Sequence, residues 1–404
     1  MSAFLQVSPI LAALRKHKAA VILLVLEIAL TTAILGNLTF IVHGGIQRSA
    51  IATGATEGQL GIIQTVSAVG IQNSSTTGGN LVVLRGVPGV MEAAYSVGAP
   101  LRYLERDPVF IDPSRQQQLG QMYEFQGSQG LSKTLGVNIV QGHDFSNDEL
   151  PVVGDMSATG PVPALMTRAL ANHLYPDGNA LGRIFYDGNA SGRVIGIVDH
   201  LRGEITGRDD DDYGVLFEYL FGPQNSGGIF LVKTQPGVLP EALRAAAAAL
   251  AKANPGHVQT KVVTMPELRE DYFRGDLAVG HMLISIMLIL LIITTLGVAG
   301  LASFWVQQRR RQIGVRRALG ATRSDILRYF QIENFLIVTG GLLLGVFFAY
   351  GLNTFLMDHF ELERLPATYL LIGTVALWVL GQLAVLGPAL RAAAIPPVAA
   401  TRPA

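Results

Sequence analysis

The chain has no cysteine, which excludes disulfides, thiolate metal sites and thiol nucleophiles. Charge is also scarce: 15% of the 404 residues are Asp, Glu, Lys or Arg, against about 25% in a soluble domain. The 30 basic and 30 acidic residues cancel, which removes any whole-chain case for binding nucleic acid. No Gly-Lys-Ser or Gly-Lys-Thr is present to cradle phosphates. His-Glu-x-x-His and Gly-x-Ser-x-Gly are missing as well, and no Ser-x-x-Lys lies beside plausible partners. A chain that is half apolar, with a mean hydropathy of +0.38, is instead solvated in part by lipid.

Four apolar runs reach the roughly 20 residues that a helix needs to cross a bilayer core: 19–42, 283–306, 335–356 and 370–390. The first is longer than the apolar core of a signal peptide, about 7–15 residues, and no clear cleavage site follows, so it is expected to be a retained anchor. Basic residues set the orientation. Arg15, Lys16 and Lys18 precede the first run, seven arginines between Arg309 and Arg328 separate the second from the third, and Arg391 and Arg402 follow the fourth. The link between the last two runs is net acidic. Both termini are therefore expected in the cytoplasm and residues 43–276 outside. That segment holds 17 basic and 24 acidic residues, net −7, so the remainder carries +7.

The expected fold class is a membrane protein of α+β type, with four transmembrane helices and a large extracytoplasmic α/β domain between helices 1 and 2. Alternation predicts strands at 60–71, 90–104, 228–234 and 257–264. Helices are expected at 76–86, capped by Thr76 or Thr77, and at 240–254, opened by Pro240 and closed by Asn254-Pro255. A further helix at 265–273 leads into the second span. Two strand-helix-strand units flank about 120 residues with strands of their own, such as 193–198, which predicts a membrane-proximal part (43–105 and 228–276) carrying a strand-rich insert (106–227). The whole division is then an amphipathic segment at 1–18, spans at 19–42, 277–306, 333–357 and 368–390, a cytoplasmic segment at 307–332, an outer loop at 358–367 and a tail at 391–404.

Residues 307–345 begin Gln-Gln-Arg-Arg-Arg-Gln-Ile-Gly-Val-Arg-Arg-Ala-Leu-Gly-Ala-Thr-Arg-Ser-Asp-Ile-Leu and end on Gly340-Gly341-Leu-Leu-Leu-Gly345. They closely resemble the signature of the MacB/FtsX permeases of ABC transporters. The tail from Pro388 through Arg391 to Pro396-Pro397-Val398 is similar to that family's C-terminal element. Gly142-His-Asp-Phe145, the stretch Thr167 to Pro176 with Leu181-Gly182, and Val194 to Asp199 resemble its MacB-type periplasmic core. The resemblance spans essentially the whole chain and departs at His143, where Arg is usual, and at Glu27, where a small residue is usual. It implies that ATP and Mg are handled by a separate ABC ATPase and that this chain binds no cofactor itself. It also implies an ATPase dimer and a second permease copy as partners, with room for a periplasmic adaptor, in a bacterial inner membrane.

Within that family the segment 312–326 matches the coupling helix, which sits in a groove of the ATPase. The expected coupling residues are Ile313, Gly314, Val315, Arg316, Arg317, Ala318, Leu319, Gly320 and Ala321; the alternative is a basic anchor against anionic lipid. Glu27 is an intramembrane acid, a class that is costly and usually turned inward. Substrate or proton handling competes with a packed, hydrogen-bonded carboxyl facing Thr294, Thr295 or Ser285. Gly341 and Gly345 form a Gly-x-x-x-Gly for close helix contact, read as packing within one subunit. Asp209–Asp212 is expected to be a solvated loop and not a calcium site, and His143, His173 and His200 to be surface or structural. The resulting function is a non-catalytic permease that couples ATP hydrolysis to motion of its outer domain for export. An FtsX-like mechanotransmitter, a lipoprotein-releasing permease and a membrane-anchored sensor or enzyme are the alternatives.

Overall fold

The computed structural model describes residues 18–67, 74–102, 104, 106–151, 160–188, 190–220, 227–360 and 365–395. The amphipathic segment expected before residue 18 and the tail beyond 395 lie outside them. The chain divides into an outer unit, Gln47–Gly275, and a helical unit, Met1–Ile46 with Asp276–Ala404.

The outer unit is built on one 11-stranded sheet. Its strands are β1 (Leu60–Ser67), β2 (Val90–Ser96), β3 (Arg106–Val109), β4 (Gly120–Ser128), β5 (Ile139–Gly142), β6 (Val162–Thr167), β7 (Ile184–Tyr186), β8 (Ser191–Val198), β9 (Gly214–Tyr219), β10 (Gly227–Thr234) and β11 (His257–Thr264). The order is β11-β1-β10-β2-β4-β9-β6-β8-β5, with β3 on β4 and β7 on β8. Strands β11, β1, β10 and β2 are antiparallel throughout, whereas β4–β9 and β6–β8 are parallel. Between β2 and β4 the ladder shrinks to the single pair Ser96↔Gly127. The sheet is therefore two halves, 60–96 with 227–264 and 106–219, meeting at a waist.

On the first half, α2 (Ser74–Arg85) and α5 (Leu239–Ala253) cover one face. Helix α5 shows why: Pro240 pre-sets its first turn, and Leu239, Ala242, Leu243, Ala246, Ala247 and Leu250 recur at helical spacing and are all buried. Their partners are Ile63, Tyr95, Phe230, Leu81 and Leu84. Thr77, expected as a cap, is buried inside α2 because that helix begins by Ser74. The strand expected at 90–104 stops at Ser96, whose hydroxyl bonds Gly98 O at 2.6 Å. The chain then turns through Leu101 at φ +62°. Helix α3 (Leu131–Leu135) follows β4 but packs mainly against β2 and β10 of the first half, whereas α4 (Arg168–Leu174) packs on β6 and β8 of the second.

Among the described residues, four helices are long and apolar enough to cross a membrane: α1 (Lys18–Ala50), α6 (Met265–Gln308), α8 (Arg323–Phe360) and α9 (Ala367–Ala393). A short helix, α7 (Arg310–Ala318), separates α6 from α8. The apolar core of the bundle includes Leu24, Ile28, Val298, Trp305, Ile337, Val338, Leu377 and Val385. Three polar bonds pin its helices. The hydroxyls of Thr31 and Thr294 meet at 2.9 Å, Asn37 Nδ2 donates to Ala349 O at 3.2 Å, and Asn334 Nδ2 donates to Gly381 O at 2.9 Å. Helices α1 and α6 overrun the expected spans, α1 running on through Gly44 and Gly45 and α6 starting at Met265, so that each has one end in the outer unit. There Arg269 clamps the two roots together. It donates to Ser49 O and Ile51 O at 2.9 and 2.8 Å and grips Glu57 at 2.6 and 2.7 Å.

Candidate coupling surface and membrane core

The segment 309–325 is a stop, a turn and a start written in local sequence. Helix α7 ends in a Schellman motif: Ala321 N donates to Arg316 O at 3.0 Å and Gly320 N to Arg317 O at 3.2 Å. Gly320 stands at φ +99°, where a side chain would be strained. Helix α8 then opens with a capping box. Asp325 N donates to Thr322 Oγ1 at 3.2 Å, and Thr322 N to Asp325 Oδ2 at 2.9 Å. Because both ends are satisfied, the turn between them is rigid.

Ile313 and Gly314 are buried, with Ile313 in the bundle core. Val315 is 44% exposed and Leu319, at the apex of the turn, 83%. Arg310, Arg311, Arg316, Ala318, Arg323 and Arg328 are exposed around them. Arg317 is half-buried and donates to Ala321 O at 3.2 Å. The expected coupling residues thus fall into an inward pair, Ile313 and Gly314, and outward apolar side chains, Val315 and Leu319, in a segment rich in exposed arginines.

A group that sequence reasoning missed lies directly behind this surface. Glu333 is buried, and Arg309 Nη1 reaches both of its carboxylate oxygens at 2.9 Å. Arg309 also donates to the Tyr329 hydroxyl at 3.4 Å, and the Arg316 guanidinium lies 5.0 Å from the centre of the Tyr329 ring. One chain of contacts thus runs from α7 through Tyr329 and Arg309 to Glu333, next to Asn334, which is bonded to α9. The available signal was two opposite charges at the facing ends of consecutive apolar runs.

The carboxyl of Glu27 does not meet the partners expected for it. Thr294 is taken by Thr31, Thr295 bonds Leu291 O at 2.6 Å, and Ser285 bonds His281 O at 2.9 Å. Glu27 instead lies over Gly297, where a Cβ would come within 2.8 Å of its Oε2. Its buried Oε1 has no hydrogen-bond partner among the described residues. Gly341 and Gly345 let α8 touch α1. Added Cβ atoms there would lie 2.8 Å from Ile28 and 2.5 Å from Thr32.

The acidic run corrects the expectation of a solvated loop. Asp211 and Asp212 are buried and hydrogen-bonded on several sides, because neighbouring backbone N–H groups turn inward to satisfy them. Among the described residues no group of three or more His, Asp or Glu is placed to hold a metal. His143 bonds Asp144 O at 2.8 Å, His173 bonds Leu119 O at 2.8 Å, and His200 bonds Asp212 at 2.5 Å. Elsewhere in the outer unit, burial and then the charge of Asp187 push Glu124 up to about 8. Burial would raise Glu57 too, but the hydrogen bonds from Arg269 and Thr53 outweigh it and hold that carboxyl below its usual range.

The FtsX-like permease C-terminal family matches residues 284–397. The macrolide export ATP-binding/permease protein MacB of Acinetobacter baylyi is 29% identical over 236 residues, covering 56% of this chain and 35% of that protein. The protein of the same name from Chromobacterium violaceum is 25% identical over 224 residues, 55% of this chain and 34% of that one. The chain thus spans about a third of the length of these curated relatives. The crystal structure of the periplasmic region of MacB from Actinobacillus actinomycetemcomitans aligns over 54% of this chain and 92% of that one, at 10% identity and a TM-score of 0.35. The chain therefore carries an FtsX-like permease C-terminal domain at residues 284–397 and is similar over about half its length to MacB proteins of ABC transporters.

Proposed function

We propose that this chain is the membrane subunit of a MacB-like ABC exporter and couples ATP hydrolysis by a separate ABC ATPase to movement of its outer unit. The observation that carries this is the exposed Leu319, held at the apex of a turn capped on both sides. An apolar side chain left 83% exposed on a turn capped on both sides, in a segment where Arg310, Arg311, Arg316 and Arg323 are exposed, fits a partner groove with an acidic rim. A basic anchor on lipid headgroups would need the charges but not the fixed apex. In this reading both termini and α7 lie in the cytoplasm, following the basic residues. ATP and Mg stay with the ATPase dimer, and a second permease copy completes the assembly in the inner membrane. A periplasmic adaptor would engage the outer unit, and the exported substrate would be a molecule handled on that side.

A second reading has an observation of its own. Helices α1 and α6 run unbroken into the outer unit, where Arg269 joins their roots. That arrangement suits an FtsX-like transmitter of force to an extracytoplasmic partner equally well. Affinity capture of the tagged protein in mild detergent, with ATPase activity assayed on the eluate, tests what the two readings share. Recovery of an ATPase with the wild type but not with Leu319→Glu supports coupling through the turn. Absence of any ATPase, even after crosslinking through 312–326, overturns it.

A further inference from the structure

The loop at 199–213, between β8 and β9, forms no strand of its own, yet it is densely hydrogen-bonded. Inside it, Asp211 accepts hydrogen bonds from Thr206 N at 2.6 Å, Thr206 Oγ1 at 2.7 Å, Gly207 N at 2.6 Å and Arg208 N at 3.2 Å. Asp212 accepts from His200 Nδ1 at 2.5 Å, Leu201 N at 3.1 Å and Arg202 Nη2 at 3.1 Å. Two buried carboxylates satisfied by converging donors make this a fixed shape; charge-assisted bonds of this kind are the strong ones.

Its external bonds run in two directions. Towards the helix roots, Arg48 of α1 donates to Thr206 O at 3.2 Å, and Arg202 donates through its backbone to Thr53 O at 2.8 Å and through Nη1 to Ala52 O at 2.7 Å. Ile205 N donates to the Tyr272 hydroxyl of α6 at 3.3 Å. Gly54, at φ +93°, lies so close that a Cβ would stand 2.0 Å from His200 O. Towards the far half of the sheet, Tyr123 OH donates to Glu204 at 3.1 Å, Tyr123 N to Tyr213 O at 2.7 Å, and Thr167 Oγ1 to Asp212 O at 2.5 Å. Arg106 of β3 pairs with Asp210. At the waist itself, Leu101 N donates to Gly203 O at 2.7 Å.

The ladder between the two halves of the sheet is a single residue pair; the segment 126–136 adds further bonds to the first half, such as Val97 N to Gln126 O at 3.0 Å and Thr56 N to Leu135 O at 2.8 Å, but neither of these comes from α1 or α6. The loop bridges that waist with bonds to both helix roots on one side and to β3, β4 and β6 on the other. We propose that the loop 199–213 is the strut that carries displacement of the roots of α1 and α6 to the far half of the sheet, with Asp211 and Asp212 as positioning residues that keep it rigid. The claim that ATP drives the displacement rests on the coupling function proposed above. The strut itself does not.

The cysteine-free chain allows paired labels at Val82 and Leu181, both exposed, one on each half of the sheet. Double electron–electron resonance on the full-length Val82→Cys/Leu181→Cys protein in nanodiscs reads the distance between the halves. In the resting protein the wild-type background should give one narrow distribution. Asp211→Asn, which weakens the loop from within, and Arg48→Gln, which cuts its tie to α1 without touching the loop, should each broaden it. The double variant should be no broader than the worse single, since both act on one strut. Adding the ATPase and ATP should shift the wild-type distance, with that shift lost in Arg48→Gln although the ATPase is still bound and hydrolysing. Unchanged widths in both single variants would overturn the strut, whatever the ATPase does. Failure of the ATPase to bind the wild type would overturn the coupling function alone, leaving the resting widths to decide the strut.

Discussion

Truncating Leu319 to alanine gives the sharpest test of the coupling surface. The side chain is 83% exposed in the chain by itself, so its loss costs the permease almost no packing, and thermal stability in detergent should not change. If a partner groove covers it, the exposed fraction leaves solvent on binding. Full burial of a leucine stabilises by about 1.5–3 kcal/mol, so this fraction contributes about 1.2–2.5 kcal/mol to association. At about 1.4 kcal/mol per decade, Leu319→Ala should weaken ATPase binding by about 7- to 60-fold. The assay is titration of the ATPase onto nanodisc-reconstituted permease at fixed salt. The loss should be nearly independent of ionic strength, whereas binding by Arg311→Gln or Arg323→Gln should lose part of its salt sensitivity, because exposed charges are screened over about 10 Å at 0.1 M. Ile313→Ala serves as the contrast: that side chain is buried in the bundle core, so it should lower stability first. Binding of Leu319→Ala within about twofold of wild type would refute the assignment of the turn as the apolar anchor.

Further outcomes follow from the buried groups. Arg309→Met should destabilise the bundle by up to about 3–5 kcal/mol because it removes the guanidinium paired with the buried Glu333, while Arg309→Met with Glu333→Leu should recover part of that loss; equal unfolding temperatures for single and double variants would contradict the buried pair. Glu124 has a folded pKa near 8, above its unfolded value, so the folded state holds the proton more tightly between the two. Its contribution to stability is complete below the unfolded pKa and is lost as pH rises towards 8, and Glu124→Gln should flatten that slope in denaturant titrations at pH 5, 7 and 9. Gly345→Leu would drive a side chain into Thr32, 2.5 Å from the first added carbon, and should cost about 1–3 kcal/mol or more of stability; a wild-type melting temperature would show that α8 does not touch α1 there. Glu27→Gln should assemble normally, since no cation depends on it; a transport defect with normal ATPase activity would mark the carboxyl as functional, and wild-type transport would mark it as packing.

Much of this fold is legible in local sequence. Helix α5 runs Leu239–Ala253 where Pro240, an alanine run and Asn254 announce it, and β11 spans 257–264 as its alternation predicts. The turn at Gly320 is equally local: Ala-Leu-Gly-Ala-Thr-x-x-Asp contains both the helix stop and the next helix start. The acidic run was misjudged because composition reports charge and not what surrounds it. Four consecutive aspartates read as solvated, yet two of them are buried by backbone donors that only the folded loop supplies.

The sequence by itself determined what depends on neighbours within a few residues: the apolar runs long enough to cross a bilayer, the opposite net charges of residues 43–276 and the remainder, and the glycine and threonine that bound the turn at Gly320. Tertiary structure alone decided which distant groups meet. Arg309 and Glu333 are 24 positions apart, Arg48 and Thr206 are 158 apart, and Glu27 finds Gly297 in place of the hydroxyls expected for it. Periodicity along one helix records which face is apolar but not what the facing helix presents. The pairing of a buried charge is therefore set only when packing brings both groups out of water together.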